Sequence, residues 1–207
     1  IIAQLLSEVY NRKWQEFPMI SSILLAAGQS TRMEKENKLT KEINGIPLIK
    51  HTINNILSSS IDELIIVLGH QKEIIENFID KNDKIKIVFN KDFESGMASS
   101  IKTGLSKLSY KTEAFFICLG DMPMVKKQIY NQLIKYVGNK EIIIPTYKKQ
   151  QGNPILFSIS MKDKIMNIEG DVGAKEILEK NKDKILNLSI NDQGIIKNYN
   201  IVSDFIN

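Results

Sequence analysis

Residues Ser22-Ile23-Leu24-Leu25-Ala26-Ala27-Gly28-Gln29-Ser30-Thr31-Arg32-Met33, followed by Lys38, decide how the rest of the chain is read. Ile23 to Leu25 form a continuous apolar run, the pattern of a strand buried on both faces. The run empties into small and polar residues whose backbone amides can approach an anion closely. Arg32 and Lys38 then supply two cations to neutralise it. That combination suits a triphosphate. It suits equally an ordinary strand-to-loop turn whose cations face water.

Outward from this strand, apolar runs and helical patterns alternate. Ile46-Pro47-Leu48-Ile49 predicts the opening of a helix to about residue 57, with Pro47 in its first turn. Residues 63–69 predict a second buried strand and 73–79 a second helix, while 84–90 alternate as a strand with one wet face. A helix over 99–108, a strand over 114–119 ending in Gly120-Asp121, a helix over 126–137 and a strand over 141–145 follow. Further on, 154–157 and 185–190 read as strands, and 161–168 and 173–181 as helices. This rhythm predicts an α/β fold, Rossmann-like and single-domain, with a mostly parallel sheet flanked by helices. Ahead of it, Ile2, Leu5, Leu6, Val9 and Tyr10 recur at helical spacing up to Pro18. Residues 1–20 are therefore expected to be a helical extension and 21–207 the domain.

Composition narrows the function classes. The 207 residues are 43% hydrophobic and 25% charged, ordinary for a globular protein with a sizeable core. Cys118, the single cysteine, lies in an apolar run and is expected to be a buried, inert thiol. It cannot form an internal disulfide, and no Cys/His cluster suggests structural zinc. No apolar run approaches a membrane span and the N-terminus lacks a signal-peptide pattern, so a cytoplasmic protein is expected. The net charge of +4 is scattered over lysines. No basic run interleaved with aromatics points to nucleic acid, and a small anionic substrate would suffice.

In a parallel α/β sheet, ligands gather at the carboxyl ends of the strands. The loops expected there hold Gly28 to Lys38, Gly69-His70, Asn90 to Ser100, and Gly120-Asp121. Asp121 offers magnesium a hard oxygen ligand, and as a turn or cap aspartate before Pro123 it needs no ligand at all. Gly96, Met97, Ser99 and Ser100 form a loop running into a helix, able to hold a ribose or phosphate or merely to cap that helix. His70 is placed to touch a nucleotide, whereas His51 reads as a surface residue. Neither has a partner that suggests a triad. Asp171 reads as the cap of the helix starting at Gly173.

In this order the motifs resemble those of the MobA-like nucleotidyltransferases, most closely the molybdenum cofactor cytidylyltransferases. The resemblance rests on Leu25 to Met33 with Lys38, Gly45-Ile-Pro-Leu48, and Asn90 with Gly96-Met97-Ala-Ser-Ser100 and Gly104. It rests also on Gly120-Asp-Met-Pro123, Gly152-Asn-Pro-Ile-Leu-Phe157 and Gly170-Asp-Val-Gly-Ala174. It implies transfer of CMP from CTP to the terminal phosphate of molybdenum-bound molybdopterin, releasing pyrophosphate, with Mg2+ as cofactor. A molybdenum hydroxylase is the implied recipient of the product, with neither nucleic acid nor membrane as partner. Arg32, Lys38 and Asp121 would be catalytic. Ala26, Ala27, Gly28, Gly69, Asn90, Gly96, Met97 and Ser99 would bind the nucleotide. Asp121 and Asn200 would hold the metal, and Asp171 would serve a second metal or the pterin. Guanylyl transfer, transfer to another phosphate such as methylerythritol phosphate, and a non-catalytic molybdopterin carrier stay open as alternatives. Glu34 stands where the family has Gly, Lys35 and Glu36 lengthen the approach to Lys38, Asn153 replaces the usual His, and Asn198 to Asp204 is an eroded form of the family's C-terminal motif.

Overall fold

The predicted first strand is β1 (Met19–Ala26), and its neighbours bury it on both sides. The computed structural model describes residues 18–28, 37–168 and 174–199. The expected helix over residues 1–18 therefore lies outside the described residues, as do Arg32, Glu34, Asp171 and Asn200.

The described residues form a sheet ordered β10-β7-β9-β6-β1-β4-β5, with β8 (Gln150–Gln151) pairing onto β7. Its strands are β4 (Glu63–Leu68), β5 (Ile85–Phe89), β6 (Thr112–Leu119), β7 (Ile142–Tyr147), β9 (Ile155–Ser158) and β10 (Ile185–Ser189). Strand β1 pairs in parallel with β4 and β6, β4 with β5, and β10 with β7. Strand β9 runs antiparallel between β6 and β7. The fold is thus α/β with a mostly parallel sheet, as expected. The direction of β9 could not be foreseen, because a short apolar run looks the same in either orientation.

Period-two alternation sends the central strands' side chains to two separate cores. Leu24, Ile66 and Phe116 meet one helical layer, built from α1 (Leu48–Leu57), α2 (Lys72–Glu76) and α4 (Lys127–Ile134). Ile23, Ile65 and Phe115 meet the other, built from α3 (Met97–Leu105), α5 (Lys162–Met166) and α6 (Lys175–Lys180). Burying each such side chain is worth about 1.5–3 kcal/mol, so the doubly covered strands dominate stability. No described helix is long and apolar enough to cross a membrane.

Three local expectations need correction. Pro47 is not in the first turn of α1. It pairs in a two-residue ribbon, β2 (Glu42–Ile43) with β3 (Ile46–Pro47), and sits extended at the N-cap of α1. Asn44 and Gly45 turn that ribbon at φ 53° and 75°, the left-handed pair that a tight hairpin requires. His51 is not a bare surface residue, since its Nε2 lies 2.9 Å from the Ile43 carbonyl and ties α1 to the ribbon. Strand β5 lacks a clean wet face. It is an edge strand on which both Ile87 and Phe89 are exposed, and Lys72 Nζ covers the Phe89 ring at 4.2 Å.

Candidate active site

A cavity of about 540 Å³ opens at the carboxyl ends of β1 and β6. Its floor is Leu25 to Gly28, where β1 ends. One wall is the turn at Lys38–Thr40, through Lys38 and Leu39. Another wall is the segment from Phe93 to Met97 with Ser100, and Asp121 and Asn198 complete the lining.

Lys38 and Asp121 meet here. Lys38 Nζ donates to Asp121 Oδ2 at 2.6 Å, with side chains 20% and 13% exposed. Each is held by its backbone. Asn37 caps the turn of Lys38, its Oδ1 accepting from the Leu39 amide at 3.1 Å. Asp121 follows Gly120, whose amide donates to the Leu25 carbonyl at 3.0 Å and so ties the loop after β6 to β1. A Cβ on Gly120 would stand 3.0 Å from that carbonyl oxygen and 3.3 Å from Leu39, so glycine permits the close approach. A cation and a carboxylate in a half-open cavity can bind and orient phosphates through charge and hydrogen bonds.

Ala26, Ala27, Gly28, Gly96 and Met97 line the cavity together with Lys38 and Asp121. Gly69, Asn90 and Ser99 stand behind its wall. Asn90 is 2% exposed. Its Nδ2 donates to Ser99 Oγ at 2.8 Å and Ser100 Oγ at 3.0 Å, while its Oδ1 accepts from the Asp92 amide. It thereby braces the segment from Asp92 to Ser100. Ser99 Oγ donates to the Gly96 carbonyl inside the first turn of α3, and Gly96 itself is the N-cap, at φ 108°. Gly69 packs where a Cβ would come within 2.7 Å of both Ala27 and Phe93. His70 lies 6.1 Å, ring to ring, from Phe93 and outside the cavity lining.

Leu39, Phe93, Glu94, Ser95 and Asn198 also line the cavity, though the sequence motifs single out none of them as a site residue. Asn198 could have been found, because it heads the same C-terminal motif as Asn200. Its neighbour Tyr199 donates its amide to the Asp121 carbonyl at 2.9 Å, which brings that segment to the site. Cys118, on β6, is fully buried, and burial pushes its thiol up to about 12. It is the inert cysteine expected.

Among the described residues, no group of three or more His, Cys, Asp or Glu side chains could hold a metal ion. Asp121 instead offers one hard carboxylate on the cavity wall. That fits a magnesium-type ion, which takes one or two carboxylates and completes its shell with phosphate oxygens and water.

The carboxyl ends of β1 and β6 thus bring a Lys–Asp pair to a cavity, the place where ligands bind in open α/β sheets. Residues 22–185 match the family model of the MobA-like NTP transferase domain, and the chain belongs to that family of nucleotidyltransferases. The bifunctional protein GlmU of Staphylococcus epidermidis is 28% identical over 134 residues, covering 64% of this chain and 29% of that protein. The chain spans about a third of the length of the curated relatives it matches. The crystal structure of Rv0371c from Mycobacterium tuberculosis H37Rv superposes with a TM-score of 0.81 at 20% identity, covering 91% of this chain and 96% of that one. The same protein in complex with manganese gives 0.71 at 20% identity, covering 84% and 89%. The 4-diphosphocytidyl-2C-methyl-D-erythritol synthase of Anaerococcus prevotii gives 0.74 at 18% identity, covering 92% and 94%. At these identities the likenesses show a shared fold.

Proposed function

We propose that this nucleotidyltransferase transfers CMP from CTP to the terminal phosphate of molybdenum-bound molybdopterin. The observation that carries the chemistry is the Lys38–Asp121 pair, 2.6 Å apart at the rim of the cavity. The resemblance of residues 152–157 and 170–174 to cytidylyltransferase motifs supports the acceptor and the base. Recognition of this kind lives in the site rather than in the fold.

An oxygen of the acceptor phosphate attacks the α-phosphorus of CTP. A new P–O bond forms, the bond between the α-phosphorus and its bridging oxygen breaks, and pyrophosphate leaves with the electron pair. The nucleophile is already anionic near neutral pH, so no general base is demanded. Positioning and charge neutralisation carry the catalysis. The β1 terminus from Ala26 to Gly28 cradles the triphosphate, and Arg32 neutralises it. Lys38 offsets charge that develops on the transferring phosphoryl group. Asp121, with Asn200, would hold Mg2+, which when bound neutralises the phosphates and the leaving pyrophosphate. Phe93 and Met97 give the cavity an apolar wall against which a planar ring can lie, and Asn90 with Ser99 keeps that wall in place.

The Anaerococcus neighbour favours a second reading, in which the acceptor is 2C-methyl-D-erythritol 4-phosphate. One experiment separates the two: pyrophosphate release with Mg2+, either acceptor, and CTP, GTP or ATP in parallel. Release with CTP and molybdenum-loaded molybdopterin is the expected result. Release with the erythritol phosphate moves the protein to the second reading. Release with GTP alone makes it a guanylyltransferase, and silence from a folded, pterin-binding protein makes it a carrier.

A further inference from the structure

The carboxylate of Asp121 is only as well placed as the short loop Gly120-Asp121-Met122-Pro123 that carries it. Two side chains of α1 hold carbonyls on either side of Asp121. Thr52 Oγ1 donates to the Gly120 carbonyl at 3.0 Å, and Asn55 Nδ2 donates to the Pro123 carbonyl at 2.9 Å. Residues three apart share one face of a helix, so both donors leave α1 side by side. Thr52 is 1% exposed, a place where an isosteric valine would cost no desolvation. Its hydroxyl could have been satisfied within the helix by the Leu48 carbonyl, but that contact is 3.5 Å long and the one to the loop is shorter. The same helix also fixes the opposite side of the site. The Leu48 amide donates to the Lys41 carbonyl at 2.8 Å, just past the turn of Lys38. One rigid element therefore registers both segments whose side chains meet across the cavity rim.

We propose that Thr52 and Asn55 are positioning residues, which hold the loop carrying Asp121 at the cavity by donating to the carbonyls of Gly120 and Pro123. This rests on the reading of Asp121 as the carboxylate that serves phosphate and metal. Three amides report on the loop without any ligand: Gly120, Val125 and Tyr199 donate to the carbonyls of Leu25, Met122 and Asp121. The test compares the full chain with Thr52→Val, Thr52→Ser, Asn55→Ala and the control Ser59→Ala. Ser59 Oγ donates to Ile56 O, past the end of α1 and away from the loop. Hydrogen exchange is read at the three amides, and binding of Mn2+ alone is read from its paramagnetic resonance signal.

Thr52→Val and Asn55→Ala should each speed exchange and weaken Mn2+ binding about fivefold to tenfold, the size of one lost hydrogen bond. Thr52→Ser should restore both to near wild type, and Ser59→Ala should move neither. Unchanged exchange in Thr52→Val and Asn55→Ala, or an equal change in Ser59→Ala, overturns the proposal. Should Thr52→Val fail to fold, Asn55→Ala decides alone. A wild-type chain that binds no Mn2+ overturns the metal reading of Asp121, and the exchange comparison then decides positioning by itself.

Discussion

Asp121 was legible as a carboxylate just past the apolar strand β6, and Lys38 through its place in the motif that follows β1. Their proposed roles predict two different responses. Asp121→Asn and Lys38→Met should each lower turnover by about two to three orders of magnitude, as when one preorganised charge is removed from a transition state. Binding of Mn2+ alone should divide them. Lys38 already donates to Asp121 Oδ2 at 2.6 Å, so its positive charge competes with a divalent ion for that carboxylate. Lys38→Met should therefore bind Mn2+ more tightly than wild type, and Asp121→Asn more weakly. A titration showing weaker binding in both variants would mean that Lys38 supports the ion rather than competing with it. Asn90 and Gly69 stand outside the cavity lining, where a polar or small residue near a strand end looks alike in sequence whether it touches a ligand or supports the wall that does. Phe93 was missed because a lone aromatic in a loop carries no periodicity.

At the scale of elements, α3 shows how closely helices and sheet are matched. Gly104 of α3 packs directly on β1 and β4. A Cβ there would overlap Ile23 Cγ2 and stand 3.2 Å from Val67 Cγ2, both on fully buried side chains. Alanine would gain about 1 kcal/mol of helix propensity. Overpacking against two β-branched side chains on central strands costs about 3 kcal/mol at the upper end of its range, and it wins. Gly104→Ala should lose about 2 kcal/mol and melt roughly 4–8 °C lower, read by thermal unfolding. A melting point at or above that of wild type would show that α3 can lift away from the sheet. Helix and strand identities were readable from apolar periodicity; their ends were not. Helix α3 begins at Met97 rather than Ser99 because Gly96, at φ 108°, breaks the chain direction just before it. Pro47 reads equally as a first-turn or an extended residue, because its fixed φ suits both, and the pairing of β2 with β3 decides for the extended cap.

Across the whole molecule, the parallel order of the central strands was legible from strand–helix alternation, whereas the insertion of β9 against its neighbours was not. Cys118 lies within that parallel centre, and it links the core to pH. Burial pushes its thiol from the ordinary 9.0 up to about 12, and burial raises the nearby Tyr130 phenol well above its own usual range. In the unfolded chain the thiol ionises near 9, while the folded chain keeps the proton until about 12. Between these values the unfolded state binds fewer protons, so stability present below pH 9 is lost as pH rises. The slope is about 1.4 kcal/mol per pH unit for one such group. Cys118→Ala removes the group while leaving the lysines and the phenols in place. Guanidinium unfolding of both proteins should therefore show wild type losing stability faster than Cys118→Ala once the pH passes about 9, the difference between the two slopes rising toward that value. Keeping the series below about pH 9.5 limits tyrosine ionisation, which both proteins share. Parallel stability curves for the two proteins would mean that the thiol reaches water in the native state, and that the sheet is open where the structure shows it closed.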